Sequence, residues 1–198
     1  MSRVQRRQAA PSMDRRKLIL YGSLGLIAII AIVAVALASR VPKAASDAPV
    51  YAKLQVGDAA PRFAAATTAG PFDSATADGK PILLEVFATW CPHCQHETSV
   101  LNDLYKQYNG KVDIVAVSGS NVGMDSNSAE TQADVMNFAQ QFSVKYPIAY
   151  DANLDVAKKF LQGGYPTIVV IDKARKVAYV DSGEIDKATL AKHLNAAL

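Results

Sequence analysis

The two cysteines of the chain are separated by two residues, in Trp90-Cys91-Pro92-His93-Cys94, and they follow directly on the apolar run Ile82-Leu83-Leu84-Glu85-Val86-Phe87. The run is bounded upstream by Gly79-Lys80-Pro81 and is rich in β-branched and aromatic residues, the pattern of a buried strand. Downstream, Val100, Leu101, Leu104, Tyr105 and Tyr108 recur at spacings of three and four, which predicts a helix ending at Asn109-Gly110. The cysteine pair is therefore predicted to lie where a buried strand hands over to a helix. At such a junction the macrodipole and the free N–H groups of the first turn favour an anion, here at Cys91. Pro92 suits the first helical turn, where its missing N–H has no partner to lose.

The rest of the chain alternates in the same way. Val112–Val117 is a second apolar strand; Val135, Phe138, Ala139 and Phe142 mark a second helix; Ile148–Tyr150 is a short strand. Val156, Ala157, Phe160 and Leu161 predict a further helix, stopped by Gly163-Gly164. Thr167–Ile171 and Val177–Val180 flank the polar turn Asp172–Lys176 and read as a hairpin, and Ile185, Leu190 and Leu194 predict a terminal amphipathic helix. Strands alternating with helices, then a hairpin and a last helix, indicate an α/β sandwich on a mixed sheet. Asn121–Thr131 reads as a flexible loop, no internal repeat is visible, and the folded domain is placed at 57–198, from Gly57 onward.

Charge is distributed unevenly. Residues 1–46 hold eight Lys/Arg against one acid, Asp14, whereas 47–198 hold 13 Lys/Arg against 17 acids. The domain is mildly acidic, so the net charge of +3 gives no support for nucleic-acid binding. Leu18 to Ala38 is a run of 21 residues without a charge. At about 1.5 Å per helical residue such a run spans a hydrocarbon core of roughly 30 Å. Six Lys/Arg precede it, and Arg40 and Lys43 follow. This predicts a basic cytoplasmic tail at 1–17, a transmembrane signal-anchor at 18–38, an Ala- and Pro-rich tether at 39–56, and a domain on the extracytoplasmic side. A cleaved signal peptide competes, since Ala36-Leu37-Ala38 fits a small-x-small cleavage site, but an h-region is usually only about 7–15 residues long.

The thiolate is the reactive form of cysteine, and a helix N-terminus can lower its pKa from about 8.5 into the range of roughly 3.5–7.5. Cys91 is read as the nucleophile and Cys94, tucked under the first turn, as the resolving thiol; a protonated His93 between them would stabilise the thiolate further. A structural disulfide across so short a loop would remove little unfolded-chain entropy. Structural zinc needs four ligands and there is no second cysteine pair, although a thiol-based metal-binding or copper-delivery module using Cys91, Cys94 and His93 or His96 is the competing class. Glu85 lies six positions before Cys91 inside the apolar strand. A buried unpaired carboxylate costs several kcal/mol, so Glu85 should stay protonated with a raised pKa. A half-exposed strand would make it a solvated edge charge. His96 and His193 are read as surface or packing residues, and Tyr105 and Tyr108 as helix-face packing.

The tether, the opening Gly57-Asp58-Ala59-Ala60-Pro61-Arg62-Phe63, the segment Ile82–Cys94 and Gly164-Tyr165-Pro166-Thr167 occur in the order found in membrane-anchored thioredoxin-like proteins of the TlpA/ResA type, which residues 57–198 resemble. The resemblance implies a thioredoxin fold with one extra helical insert, and a thiol–disulfide oxidoreductase with no metal or organic cofactor. It implies that Pro166 is cis and faces the cysteines, and that the Tyr165 backbone pairs with an extended substrate peptide. It further implies that Glu85 relays a proton to Cys94 and that Trp90 and Pro92 flank the substrate. Implied partners are extracytoplasmic protein thiols and disulfides, such as apocytochromes or folding secreted chains, and a membrane redox partner that resets the dithiol. Peroxiredoxins share the style of the opening but place Thr or Ser three residues before the active cysteine; that position is Ala88 here, which argues against a peroxidase. The Pro92-His93 dipeptide resembles strongly oxidising DsbA proteins, whereas Gly119–Pro147 is too short for the DsbA helical insert. An oxidant-like motif thus sits on a reductant-like scaffold, and the direction of electron flow stays open.

Overall fold

The computed structural model describes residues 51–198; the basic tail, the apolar span 18–38 and the tether up to residue 50 lie outside the described residues. Among the described residues no helix is long and apolar enough to cross a membrane. In chain order the elements are β1 (Ala64–Thr67), β2 (Gly70–Asp73), β3 (Ile82–Phe87), α1 (Pro92–Gln107), β4 (Asp113–Ser118), α2 (Gln132–Gln141), β5 (Ile148–Tyr150), α3 (Ala157–Phe160), β6 (Thr167–Ile171), β7 (Val177–Ser182) and α4 (Lys187–Ala197).

All seven strands join one mixed sheet in the order β2-β1-β5-β4-β3-β6-β7. β3 runs parallel to β4 and antiparallel to β6, and β4 runs parallel to β5. Every residue of β3 is buried because both faces of the central strand are covered, which is why its sequence reads as a continuous apolar run. The period of two then sorts its side chains. Leu83 and Phe87 pack with Leu101 and Leu104 of α1, Phe138 of α2, and Leu190 and Leu194 of α4. Ile82, Leu84 and Val86 pack on the opposite face with Phe63, Val156 and Phe160. Glu85, in phase with Leu83 and Phe87, is thereby aimed at the side that carries α1.

Four local outcomes differ from the sequence expectation. The β1–β2 hairpin was not legible, because Ala64-Ala65-Ala66-Thr67 and Gly70-Pro71-Phe72-Asp73 use residues that are depleted in strands. It forms through tertiary support: Phe72 packs on the buried Phe63 at 5.5 Å between ring centres, the Phe63 N–H donates to Ser74 Oγ at 2.9 Å, and Pro71 is tolerated on the outermost strand. The expected helix around Val156–Leu161 is a single turn, whose first N–H groups are gathered by the Asp151 carboxylate at 2.8–2.9 Å.

The segment Asn121–Thr131, read as a flexible loop, is shaped by its own bonds. Asp125 Oδ1 accepts from the N–H groups of Asn127 and Ser128, Val122 bridges Ala129, and Thr131 and Asp134 close a capping box on α2. The chain is also packed ahead of Gly57. Leu54 is 9% exposed, the Ala52 N–H donates to the Lys158 carbonyl at 2.8 Å, and the Gln162 side chain holds both the Ala52 carbonyl and the Leu54 N–H.

Gly119, directly after β4, sits where a side chain has no room. A Cβ built there would lie 2.6 Å from Ala157 Cβ and 2.7 Å from Val86 Cγ1. Gly119→Ala should destabilise the domain by about 1–3 kcal/mol, read as a lower urea midpoint with an unchanged m value.

Candidate active site

α1 begins at Pro92, so Cys91 occupies the N-cap with an extended backbone, and no acidic side chain lies in the first turn to compete for its N–H groups. The N-cap is the position at which a side-chain acceptor normally receives those groups. The Cys91 pKa is accordingly lowered to about 6: the Cys94 thiol donates to the thiolate, the N–H groups of Cys94 and His93 favour it, and the His93 charge adds a smaller effect, all against the cost of burial. Both cysteines are free thiols. Cys91 is 4% exposed and Cys94 1%, so the outer sulfur is less open than a helix start alone implies. The Cys94 pKa is raised, chiefly by burial, then by the bond it makes to Cys91 and by the Glu85 charge. The two sulfurs are thus strongly differentiated, one poised to ionise and one held neutral.

The Tyr165–Pro166 peptide bond is cis. The loop lies against the cysteines, with the Cys91 thiol donating to the Tyr165 carbonyl at 3.6 Å. The Tyr165 hydroxyl donates to the Gly119 carbonyl at 2.5 Å, and its ring meets the edge of Trp90 at 5.9 Å. Trp90 is half-buried and its indole N–H donates to Ser120 Oγ at 2.9 Å. Pro92 and His93 are exposed at the helix start.

Beneath the cysteines, Glu85 is 2% exposed. Its Oε2 accepts from the Tyr146 hydroxyl at 3.3 Å and its Oε1 has no partner. Burial and the neighbouring Glu97 charge raise its pKa well above the ordinary carboxylate range. The solvated-edge alternative for Glu85 is thereby excluded. Glu97, on the buried face of α1, accepts from the Ile185 N–H at 3.0 Å with one oxygen and leaves the other unpartnered. Its pKa is raised to about 7 by burial and by the Glu184 and Asp186 charges. Two buried carboxyl groups, each with an unpartnered oxygen, therefore lie behind the dithiol, near enough for the Glu97 charge to act on Glu85.

The structure gathers all the residues singled out from sequence: Cys91, Cys94, Glu85, His93, Trp90, Pro92, Tyr165 and Pro166. Reading the sequence missed four more. Glu97 had a signal, since it follows Cys94 by three and precedes Leu101 by four, on the helix face that Leu101 and Leu104 mark as buried. Glu130 is buried under the cysteine loop, accepting from Thr89 Oγ1 at 2.8 Å and from the Ser118 hydroxyl. Tyr146 and Glu184 had no local signal. Glu184 also draws in His96, whose Nδ1 lies 3.3 Å from Glu184 Oε1. Among the described residues no three His, Cys, Asp or Glu side chains are grouped so as to hold a metal ion.

A family model described as Redoxin matches residues 55–197. The chain belongs to the Redoxin family. This Redoxin-family chain is 32% identical over 144 residues to the thiol-disulfide oxidoreductase ResA of Bacillus cereus, across 72% of its own length and 78% of that protein's. It is 28% identical over 198 residues to the thiol-disulfide oxidoreductase ResA of Oceanobacillus iheyensis, across 97% and 95%. Among solved structures it resembles a thiol:disulfide interchange protein of the thioredoxin family from Chlorobium tepidum, with a TM-score of 0.56 and 28% identity over 74% of this chain and 99% of that one. The fold is thioredoxin-like, and the protein is a thiol–disulfide oxidoreductase.

Two outcomes are expected of this site. Alkylation of reduced protein should rise with a midpoint near pH 6 from Cys91 alone, with Cys94 silent below pH 9; a midpoint near 8.5 would remove the assigned effect of the helix start. Glu97 binds its proton more tightly folded, at about 7, than in an unfolded chain at about 4.3. The native state thus holds more protons between these values, and stability falls as pH rises across that window. Glu97→Gln should flatten this part of the stability profile, measured by urea unfolding from pH 4.5 to 8.

Proposed function

We propose that the protein is an extracytoplasmic thiol–disulfide oxidoreductase, held to the membrane by an uncleaved span at Leu18–Ala38, that exchanges disulfides with protein substrates through Cys91 and Cys94. The observation that carries the exchange chemistry is the split between the two thiols, Cys91 lowered to about 6 at the helix start and Cys94 buried and raised. The anchor is supported by the 21-residue uncharged run with its basic flank. It is supported too by the alignment to the Oceanobacillus iheyensis relative, which takes in 97% of this chain, N-terminal segment included.

In the reducing direction the Cys91 thiolate attacks a substrate disulfide, forms a mixed disulfide and expels one substrate thiolate. Cys94 loses its proton, attacks Cys91 Sγ and expels the second substrate thiolate, so two electrons pass to the substrate and the Cys91–Cys94 disulfide forms. Oxidation of a substrate dithiol is the reverse sequence. The substrate peptide lies along the cis-proline loop, paired with the Tyr165 backbone and flanked by Trp90 and Pro92. Glu85 relays the Cys94 proton, accepting it in the minor, ionised fraction of the carboxyl. A carboxylate with a raised pKa is a stronger base than an ordinary one and is better matched to a buried thiol. Glu97 and the Tyr146 hydroxyl set how readily Glu85 releases that proton again. A membrane redox partner returns the pair to its working state.

A Cys91 pKa of about 6 lies between values of about 3.5 for DsbA and 7 for thioredoxin. The reduction potential of the full chain in detergent should accordingly fall between about −120 and −270 mV in glutathione buffers. Absence of a reversible dithiol couple would remove the function. Cys94→Ser should accumulate mixed disulfides with membrane-side proteins. Glu85→Gln should slow resolution at pH 7 by about 10- to 100-fold while leaving the first attack by Cys91 nearly intact, as measured by stopped-flow thiol release; equal loss in both steps would exclude the relay.

A further inference from the structure

Glu184 lies in the connection between β7 and α4, 91 positions from His93, yet its Oε1 stands 2.5 Å from His93 Nδ1 and 3.3 Å from His96 Nδ1. The connection is built into the site on both sides of it. The Gly183 N–H donates to the carbonyl of the cis-proline Pro166 at 2.8 Å, and the Ile185 N–H donates to Glu97 Oε2 at 3.0 Å. Gly183 has a φ of +95°, a conformation that favours glycine at this position. The carboxylate is thus delivered to the open side of the helix start by two backbone bonds to residues of the active site.

We propose that Glu184 is a positioning residue that restrains the oxidising strength of the Cys91–Cys94 couple by holding the His93 imidazole in an ion pair. The inference rests on the thiol–disulfide reading above. Protonated His93 with Glu184 is a neutral pair beside the thiolate, and deprotonated His93 with Glu184 carries one negative charge. With glutamine in place of Glu184 the same two states carry one positive charge and none. Below pH 6, where His93 is protonated with either partner, the surroundings of Cys91 become one unit more positive; at higher pH, His93 without Glu184 loses its proton more readily and the gain shrinks. The His93 charge is the one that acts on Cys91, so the effect passes through His93. The other titratable groups facing this pair are His96 and Glu97 on α1 and Asp186 at the head of α4; Glu97, whose pKa the Glu184 charge helps to raise, ionises more readily in the variant and opposes part of the effect. Glutamine retains an oxygen that accepts from His93, so the ring keeps its seat while the compensation is removed.

The relevant equilibrium is protein disulfide plus two glutathione thiols giving protein dithiol plus glutathione disulfide, a two-electron exchange in which a more stable Cys91 thiolate favours the dithiol. Below pH 6, where His93 is protonated in both proteins, Glu184→Gln in the full chain should shift this equilibrium toward dithiol and should raise the rate of Cys91 alkylation, by about two- to tenfold each. Glu184→Asp, which keeps the charge, should stay closer to the parent. In a His93→Gln background the Glu184→Gln shift should fall to less than half.

An unchanged or oppositely shifted thiolate titration in Glu184→Gln would overturn the inference, as would a full-sized shift without His93, which would mean that Glu184 acts on the thiolate directly. The parent protein is the control for the underlying reading. If it equilibrates with glutathione while Glu184→Gln matches it, only the role of Glu184 falls. If the parent forms no reversible couple, the thiol–disulfide reading falls with it.

Discussion

Burial of β3 on both faces is the constraint on which the rest of this molecule depends. A central strand paired to β4 on one side and β6 on the other cannot shift by one residue without turning Leu83 and Phe87 out of one core and Ile82, Leu84 and Val86 out of the other. That locked register decides where the strand ends, hence where the chain turns at Ala88–Trp90 and where α1 begins. It also decides which way Glu85 points. The catalytic geometry is a consequence of packing before it is a matter of chemistry.

The helix start converts this placement into reactivity. Cys91 stands where an N-cap side chain normally accepts backbone N–H groups, and a sulfur in that position is stabilised as an anion for the same reason that Asp or Ser is favoured there. Three residues on, Cys94 is drawn into the core by the turn of the helix, where the Glu85 charge acts on it; Glu85 and its buried neighbour Glu97 each have an unsatisfied oxygen. Unpartnered buried oxygens are costly, and their presence as a pair behind the dithiol marks a place where stability has been given up. Thr89, Glu130 and Ser118 do the opposite, forming a fully bonded buried knot that holds the loop before Cys91 in place.

The surface face of the site is governed by different physics. His93, His96 and Glu184 are exposed, so their mutual attraction is screened and contributes little to folding. What such groups can do is alter the charge seen by the nearby thiolate, on which the His93 charge already acts. The two backbone bonds from Gly183 and Ile185 make that charge a constructed feature rather than a mobile surface side chain.

Much of this was legible in the sequence because it was local. The apolar run of β3, the spacing of Leu101 and Leu104, and the place of Pro92 between a cysteine N-cap and a helix each depend on neighbours within a turn or a strand. So does the position of Glu85 inside an apolar strand. The β1–β2 hairpin was not legible, since Ala64-Ala65-Ala66-Thr67 has no preference of its own and is a strand only because β5 and Phe63 are beside it. Glu97 lay on a readable helix stripe, but its meaning depended on its charge reaching Glu85. Tyr146, Glu130 and Glu184 come from connections whose residues carry no periodicity, and they reach the residues around the cysteines from 36 to more than 90 positions away from those cysteines. Sequence by itself determined the chemistry available, a dithiol at a helix start, because that information is short-range. Only the tertiary structure decided which charges surround each sulfur, because electrostatic neighbours are set by distance in space and not along the chain.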